Sequence, residues 1–436
     1  MKLKILSLII TCFFVGILQL NSQVPSPAPP QDKPIVLIGA TAHLGNGEVI
    51  NNSVIAFDKG KITLVSNKTD FGLDLNLFEV VNVEGKHVYP GLILPNVGLG
   101  LVEVGSVRAT VDSYETGILN PNVRSIVAYN TDSEAIPVLR SNGILIAQIT
   151  PGGGMVSGSS TIVQLDAWNW EDAVYKLDDG IHMSWPSMYR RSGFSGSGAV
   201  SLNTNYEATV KQLEKLFTDA AAYNKLDKPE VTNLKLNAMK GLFTGDQTLY
   251  VRAGNAKEII ESVQFARKHG VEKVVLVSID EDVLKITEFI KENNIPIIVA
   301  GLTRMPKRKD DDIKIQFKLP YLLHKEGILV GLDLPSPTGA MNYPFFAGIA
   351  IAYGMDKEDA LKTITSNMAK ILGIDDRVGS LEEGKDATII VSTGDLLDIR
   401  TSNVELAYIN GRNIDLDNKH KRLYKKYKKK YEDIGK

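Results

Sequence analysis

The sequence predicts an α/β fold, a (β/α)8-type barrel flanked by a small β-sandwich built from both chain ends. Three observations carry this. Short strand-like runs separated by tight turns fill the stretch before Pro90. From Gly91 onward apolar strands alternate with helical stretches, the rhythm of a parallel α/β core. After Leu372 the chain returns to β structure. A length of 436 residues leaves room for one large domain and one small one. With 44% apolar and 23% charged residues the chain is expected to fold rather than stay disordered. The net charge of −2 gives no argument for a nucleic-acid partner, and none is expected.

At the N-terminus Lys2 and Lys4 precede the apolar run 5–20 and then Asn21-Ser22-Gln23. This is the pattern of a secretory signal. Residues 1–22 are therefore read as a signal peptide and the protein as periplasmic or secreted, with an uncleaved anchor as the alternative. The single cysteine, Cys12, lies in this segment, so a mature chain would hold neither disulfides nor thiolate metal sites. Residues 23–33 are Pro-rich and polar, a flexible linker.

The runs 35–38, 49–57 and 61–65 read as strands, parted by the turns Gly45-Asn46-Gly47 and Asp58-Lys59-Gly60. Residues 79–88 add another. Together they form an antiparallel unit, the first part of the sandwich, over 34–90.

Residues 91–373 form the barrel. Helix is expected over 132–142, 256–269, 281–293 and 356–372, and strand over 144–150, 274–277, 295–300 and 328–332. Ile259, Ile260, Val263 and Ala266 share one helix side, and Gly270 closes that helix. Residues 166–203 break the alternation and read as a long inserted loop at one barrel end. Trp168, Trp170 and Trp185 are expected to pack this loop, with a ligand mouth as the alternative. Residues 374–415 supply the second part of the sandwich. Residues 416–436 form a basic C-terminal helix. Its Leu423, Tyr424, Tyr427 and Tyr431 are expected to lie on the body with lysines in water, so membrane contact is not expected.

Three stretches carry a resemblance. They are Tyr89-Pro90-Gly91-Leu92, the helix 358–372 closed by Gly373, and Val378-Gly379-Ser380-Leu381-Glu382-Glu383-Gly384-Lys385-Asp386-Ala387. Over residues 34–415 the chain resembles the amidohydrolase superfamily, imidazolonepropionase-like type. The resemblance implies a distorted (β/α)8 TIM-type barrel, a split β-sandwich and a site at the C-terminal ends of the barrel strands. It also implies metal-assisted hydrolysis of a C–N bond, with zinc or a similar ion. The family supplies His-x-His after the first strand, histidines after two middle strands and an Asp after the last.

This chain departs from that pattern. Asn96-Val97-Gly98 stands where His-x-His would be, Arg252 ends the strand that should end in histidine, and Val277-Ser278-Ile279-Asp280 has none. Asp333 matches the family's Asp. Of the six histidines, His43, His87, His269, His324 and His420 read as surface or capping residues, and His182 alone could approach the mouth. A guanidinium cannot ligate a metal. No metal ligand, no cofactor and no catalytic residue is assigned. Asn96, Arg252 and Asp333 are read as polar contacts to a small-molecule ligand, with Arg252 replacing the metal's charge and pairing with Asp333.

Other motifs do not suffice. Gly152-Gly153-Gly154 lacks the Lys-Ser/Thr of a phosphate loop, and Ser195 and Ser197 lack the strand that precedes a nucleophile elbow. The functional expectation is an exported protein that resembles metal-dependent C–N hydrolases without their metal site. It would act as a pseudoenzyme, a ligand binder or the partner of a complete paralogous amidohydrolase. The alternative is an active hydrolase of carbon–nitrogen bonds, peptide-like or not, whose atypical site uses Asp333 and His182.

Overall fold

Residues 26–69, 72–191, 199–226, 228–305, 311–336 and 339–434 are described by a computed structural model. The expected signal peptide lies outside them, as do Ser195 and Ser197. The turn signals before Pro90 separate strands β1 (Ile35–His43), β2 (Val49–Asp58), β3 (Lys61–Asn67), β4 (Glu79–Asn82) and β5 (His87–Pro90). β1 pairs antiparallel with β2 but in parallel with β4 and β5, so this unit is mixed rather than purely antiparallel. Gly39, at φ 98°, breaks the register of β1. The half before the break pairs with β4 and the half after it with β5.

The barrel strands are β6 (Leu92–Val97), β7 (Ile144–Ile149), β8 (Val156–Gln164) and β9 (Val174–Ser184). A surface hairpin, β10 (Tyr189–Arg191) with β11 (Val200–Leu202), follows. Then come β12 (Thr248–Arg252), β13 (Val274–Ile279), β14 (Ile297–Ala300) and β15 (Val330–Asp333). Their order in the sheet is β15-β14-β13-β12-β9-β8-β7-β6. β8 runs antiparallel to both neighbours, which is the distortion of the barrel. Strands β6 and β7 are buried along their whole length, as strands covered on both faces must be.

After the barrel come β16 (Ile389–Ser392), β17 (Val404–Ile409) and β18 (Arg412–Asn413). β16 pairs antiparallel with β5, Ile390 opposite Tyr89, and so joins both chain ends in one sheet. Leu37, Ile55, Phe57, Val88, Ile389 and Tyr408 share its core. The fold is therefore the α/β barrel with a flanking sheet from both chain ends.

β6 and β15 are not paired in the sheet order, and the gap between them is closed by other groups. The Leu332 N–H donates to the Thr363 carbonyl at 3.2 Å and the Ile93 N–H to the Ile364 carbonyl at 3.0 Å. The Tyr343 hydroxyl lies 2.9 Å from both the Ile93 and the Leu332 carbonyl. This explains why the helix expected over 356–372 is two, Lys357–Lys362 and Ser366–Leu372. The break between them turns Thr363 and Ile364 toward the seam.

Two further expectations are corrected. Residues 166–203 are not a loop throughout. They contain β9, whose residues Asp179–Met183 are buried because the strand lies inside the barrel sheet. Trp185 is buried, whereas Trp168 and Trp170 are exposed. The C-terminal helix forms over Lys419–Ile434, but Leu423, Tyr424, Tyr427 and Tyr431 face solvent instead of the body.

The other histidines divide. His43 is buried, with Nδ1 2.7 Å from Glu358 and Nε2 3.1 Å from Nδ1 of His87, so it ties the flanking sheet to a barrel helix and is no surface residue. His269 caps the helix Ala256–Lys268 as expected.

Candidate functional site

Two bulges at the barrel rim set the site. β6 slips against β7 between Leu94 and Val97, and Asn96 in that bulge has φ 52°. β13 slips against β14 between Val277 and Ile279, and Ser278 there has φ 55°. Side-chain-bearing residues seldom adopt this left-handed conformation, which stores roughly 1–3 kcal/mol and clusters at functional sites. Bulges re-aim side chains, and here the two meet. Asn96 Nδ2 donates to Asp333 Oδ2 at 2.7 Å and lies 3.3 Å from Ser278 Oγ. Arg252 Nη2 reaches the same Ser278 oxygen at 3.4 Å.

Asp333 is 0% exposed, and its Oδ1 has no hydrogen-bond partner. Burial pushes its pKa up to about 7, offset in part by the Asn96 hydrogen bond and the Arg252 charge. The three residues read from the sequence, Asn96, Arg252 and Asp333, are thus brought together. The contact expected between two of them is absent. Arg252 makes no ion pair with Asp333: the Asn96 amide takes Asp333 Oδ2, and the guanidinium reaches Ser278 Oγ instead. Among the described residues Arg252 has no carboxylate partner, and its side chain opens to solvent.

Behind this group lies a second polar cluster. Asp179 accepts from Gln148 Nε2 at 2.8 Å, from the Tyr250 hydroxyl at 2.7 Å and from Ser160 Oγ at 2.7 Å. Burial raises its pKa, and these donors oppose the rise. The Ser160 proton goes to Asp179, so Ser160 accepts from His182 Nε2 at 2.9 Å. That fixes the proton of His182 on Nε2 and leaves Nδ1 as the lone-pair nitrogen. The His182 ring stacks on Tyr250 with centroids 4.6 Å apart. Burial, and then the Arg252 charge, push its pKa down to about 3, so it is a neutral imidazole. Gln148 Oε1 accepts the Asn96 N–H at 3.1 Å and links the two clusters.

Above them is a cavity of about 200 Å³, lined by Asn96, Ser113, Thr150, His182, Tyr250 and Arg252 among others. Gly152 and Gly153 form part of its wall. The Gly152 N–H is spent on the Ser113 carbonyl at 2.6 Å, which is loop geometry rather than a phosphate cradle.

The donors present do not fit a zinc-type ion. Such an ion needs about three imidazole or carboxylate ligands beside an open position. The mouth offers one imidazole, His182, with only its Nδ1 lone pair free, and one carboxylate, Asp333, held by an amide, which is short of three ligands and leaves the permanent cation Arg252 beside them. Among the described residues no group of three or more His, Cys, Asp and Glu could hold a metal ion.

Sequence reading missed Gln148, Ser160, Asp179, Ser278 and Tyr250, and placed His182 in a loop. A signal existed for some. Gln148 interrupts the apolar run Ile-Leu-Ile-Ala-Gln-Ile, and Asp179 precedes Gly180-Ile181-His182-Met183, a strand-like stretch with a buried carboxylate at its head. Ser278 had none, since its role comes from the bulge.

The amidohydrolase family model matches residues 169–414. Among solved structures, an amidohydrolase from Thermotoga maritima MSB8 superposes with a TM-score of 0.76 at 24% identity, covering 87% of this chain and 99% of that one. A Xaa-Pro dipeptidase with bound methionine in its active site gives a TM-score of 0.53 at 14% identity, over 87% and 99% of the two chains. Molinate hydrolase gives 0.52 at 12% identity, over 90% and 96%. At these identities the likeness to solved structures speaks for the fold alone. No curated protein matches the sequence.

Proposed function

The chain belongs to the amidohydrolase family, and on that basis we propose that its barrel mouth is a binding site for a small carboxylate, kept after loss of the metal-dependent chemistry. The observation that carries this reading is Arg252, a guanidinium without a carboxylate partner among the described residues, at the wall of a cavity of about 200 Å³. Guanidinium recognises carboxylate through paired N–H donors. A neutral His182 and a largely neutral Asp333 leave that positive charge uncompensated below pH 7. The volume suits a molecule of amino-acid size rather than a drug-sized ligand.

The protein would then be a pseudoenzyme or ligand binder, exported through residues 1–22, and able to serve as partner to a complete paralogous amidohydrolase. Titration with small monocarboxylates and amino acids, followed by calorimetry, tests the binding. Binding to the wild-type chain that is lost in Arg252→Gln supports it. Absence of any carboxylate binding, or binding indifferent to Arg252, would contradict it. N-terminal sequencing of the exported chain tests the signal, and co-purification tests the partner.

A second reading, hydrolysis of a C–N bond, draws on one observation. An Asp333 pKa near 7 suits a general acid or base at neutral pH. Turnover of an amide or dipeptide that disappears in Asp333→Asn would favour it over binding alone.

A further inference from the structure

The C-terminal helix Lys419–Ile434 is fixed to the body only at its base. Asn418, 3% exposed, donates from Nδ2 to Ser141 Oγ at 2.9 Å and caps the helix by accepting the Lys421 N–H at 2.9 Å. Beyond that base Tyr424, Tyr427 and Tyr431 are 67%, 51% and 66% exposed. Every ion pair the helix makes among the described residues is to Asp417 or Glu432, its own segment.

At 3.6 residues per turn Leu423, Tyr424, Tyr427 and Tyr431 fall in one arc of about 100°, and lysines flank it on both sides. The segment 419–434 carries eight Lys and Arg and two acidic residues, so a chain of net −2 leaves −8 on the remainder. The positive charge is thus segregated onto one projecting helix. An exposed tyrosine stripe between rows of lysine matches a surface that is apolar beneath and anionic on top. Tyrosine settles at that boundary, with its ring among acyl chains and its hydroxyl in the headgroups.

The other chain end arrives at the same place. Buried Asp166 accepts the Ala28 N–H at 2.9 Å and Arg412 Nη1 at 2.8 Å, and it also pairs with Arg140, the neighbour of Ser141. Ala28 is therefore tied to a buried carboxylate whose partner Arg140 adjoins Ser141, the residue that holds the base of the basic helix. The residues before Ala28 lead back, in sequence, to the apolar run 5–20 that directs a chain to a membrane.

We propose that this helix docks the protein on an anionic phospholipid surface. The tyrosine stripe enters the headgroup region and the flanking lysines take the lipid phosphates. Such binding scales with buried apolar area and with attraction to anionic lipid. Nucleic acid is the competing polyanion, but it gives a contiguous stripe of exposed tyrosine and leucine no apolar layer to enter.

The test uses the full chain and flotation with vesicles of phosphatidylcholine alone or mixed with phosphatidylglycerol. Lys2 and Lys4 beside the N-terminal apolar run also favour anionic lipid, so the helix is reported by the part of the difference between vesicles that its own variants remove. The expected result is binding at least about tenfold stronger on the phosphatidylglycerol vesicles, weakened by salt. The triple variant Tyr424→Ser, Tyr427→Ser, Tyr431→Ser removes most of that difference, with the melting temperature of the body unchanged. Reversal of Lys425, Lys426, Lys428 and Lys429 to Glu removes the helix's share entirely, leaving no more than the preference due to Lys2 and Lys4. Equal binding to both vesicles, or a difference that neither variant diminishes, would overturn the proposal. So would release from vesicles by a single-stranded oligonucleotide that binds the helix more tightly than lipid does.

Discussion

Asn96 and Asp333, at the C-terminal ends of the first and last barrel strands, are joined by a 2.7 Å hydrogen bond across the unpaired seam between those strands. The amide satisfies one oxygen of a carboxyl group that solvent does not reach. Where the family is implied to place a metal ion between these positions, this chain closes them on each other.

Asn96→Ala removes that donor and strands the Asp333 oxygen. The expected loss is about 1–3 kcal/mol of unfolding free energy, from the unsatisfied group. A Cβ at φ 52° adds strain that glycine avoids. Asn96→Gly should therefore cost less than Asn96→Ala in urea denaturation. Equal losses would show that the bulge is not strained, and no loss in either would show that the bond stabilises nothing.

Asp333 gives a pH signature. Its pKa is raised from 3.8 to about 7, so the folded state holds a proton that the unfolded state has released. Its contribution is full below pH 3.8 and is lost as pH rises through about 7. The stability of the wild-type chain relative to Asp333→Asn should fall between pH 5 and pH 8, by on the order of a few kcal/mol at most. A difference that is flat, or that rises with pH, would contradict the assignment.

His182 should not titrate in the physiological range, because burial and Arg252 hold its pKa at about 3. Its Cε1 proton resonance, assigned by its loss in His182→Gln, is expected to stay constant from pH 5 to pH 8. A midpoint near 6.5 would mean that the imidazole is open to water.

Tyr343 spans the seam, and Tyr343→Phe removes the one hydroxyl that reaches both the Ile93 and Leu332 carbonyls. A cost of about 1–2 kcal/mol is expected. Hydrogen exchange should quicken at the Ile93 and Leu332 amides and not in β9 or β12. Uniform quickening would indicate global destabilisation instead.

Much of this was legible in the sequence. The apolar runs of β7 and β13 and the capped helix Ala256–Lys268 follow from period and end signals. The positions of Asn96, Arg252 and Asp333 came from the family resemblance, which implies site residues at those strand ends. Their pairing did not, because it depends on two bulges that no local pattern announces. β9 was hidden because residues 166–203 as a whole break the strand–helix alternation, and only the Ser160, Gln148 and Tyr250 donors make a buried Asp179 tolerable. The tail helix was legible as a helix. Its exposed face was not, since the same stripe would serve equally well for packing on the body.

A barrel mouth that binds a carboxylate without a metal ion should not retain zinc. Metal analysis by mass spectrometry, after incubating the chain with excess zinc and then dialysing it, tests this most directly. The expected result is zinc far below one ion per chain, with carboxylate binding unchanged by the treatment. One tightly held zinc per chain, lost in both His182→Gln and Asp333→Asn, would contradict it.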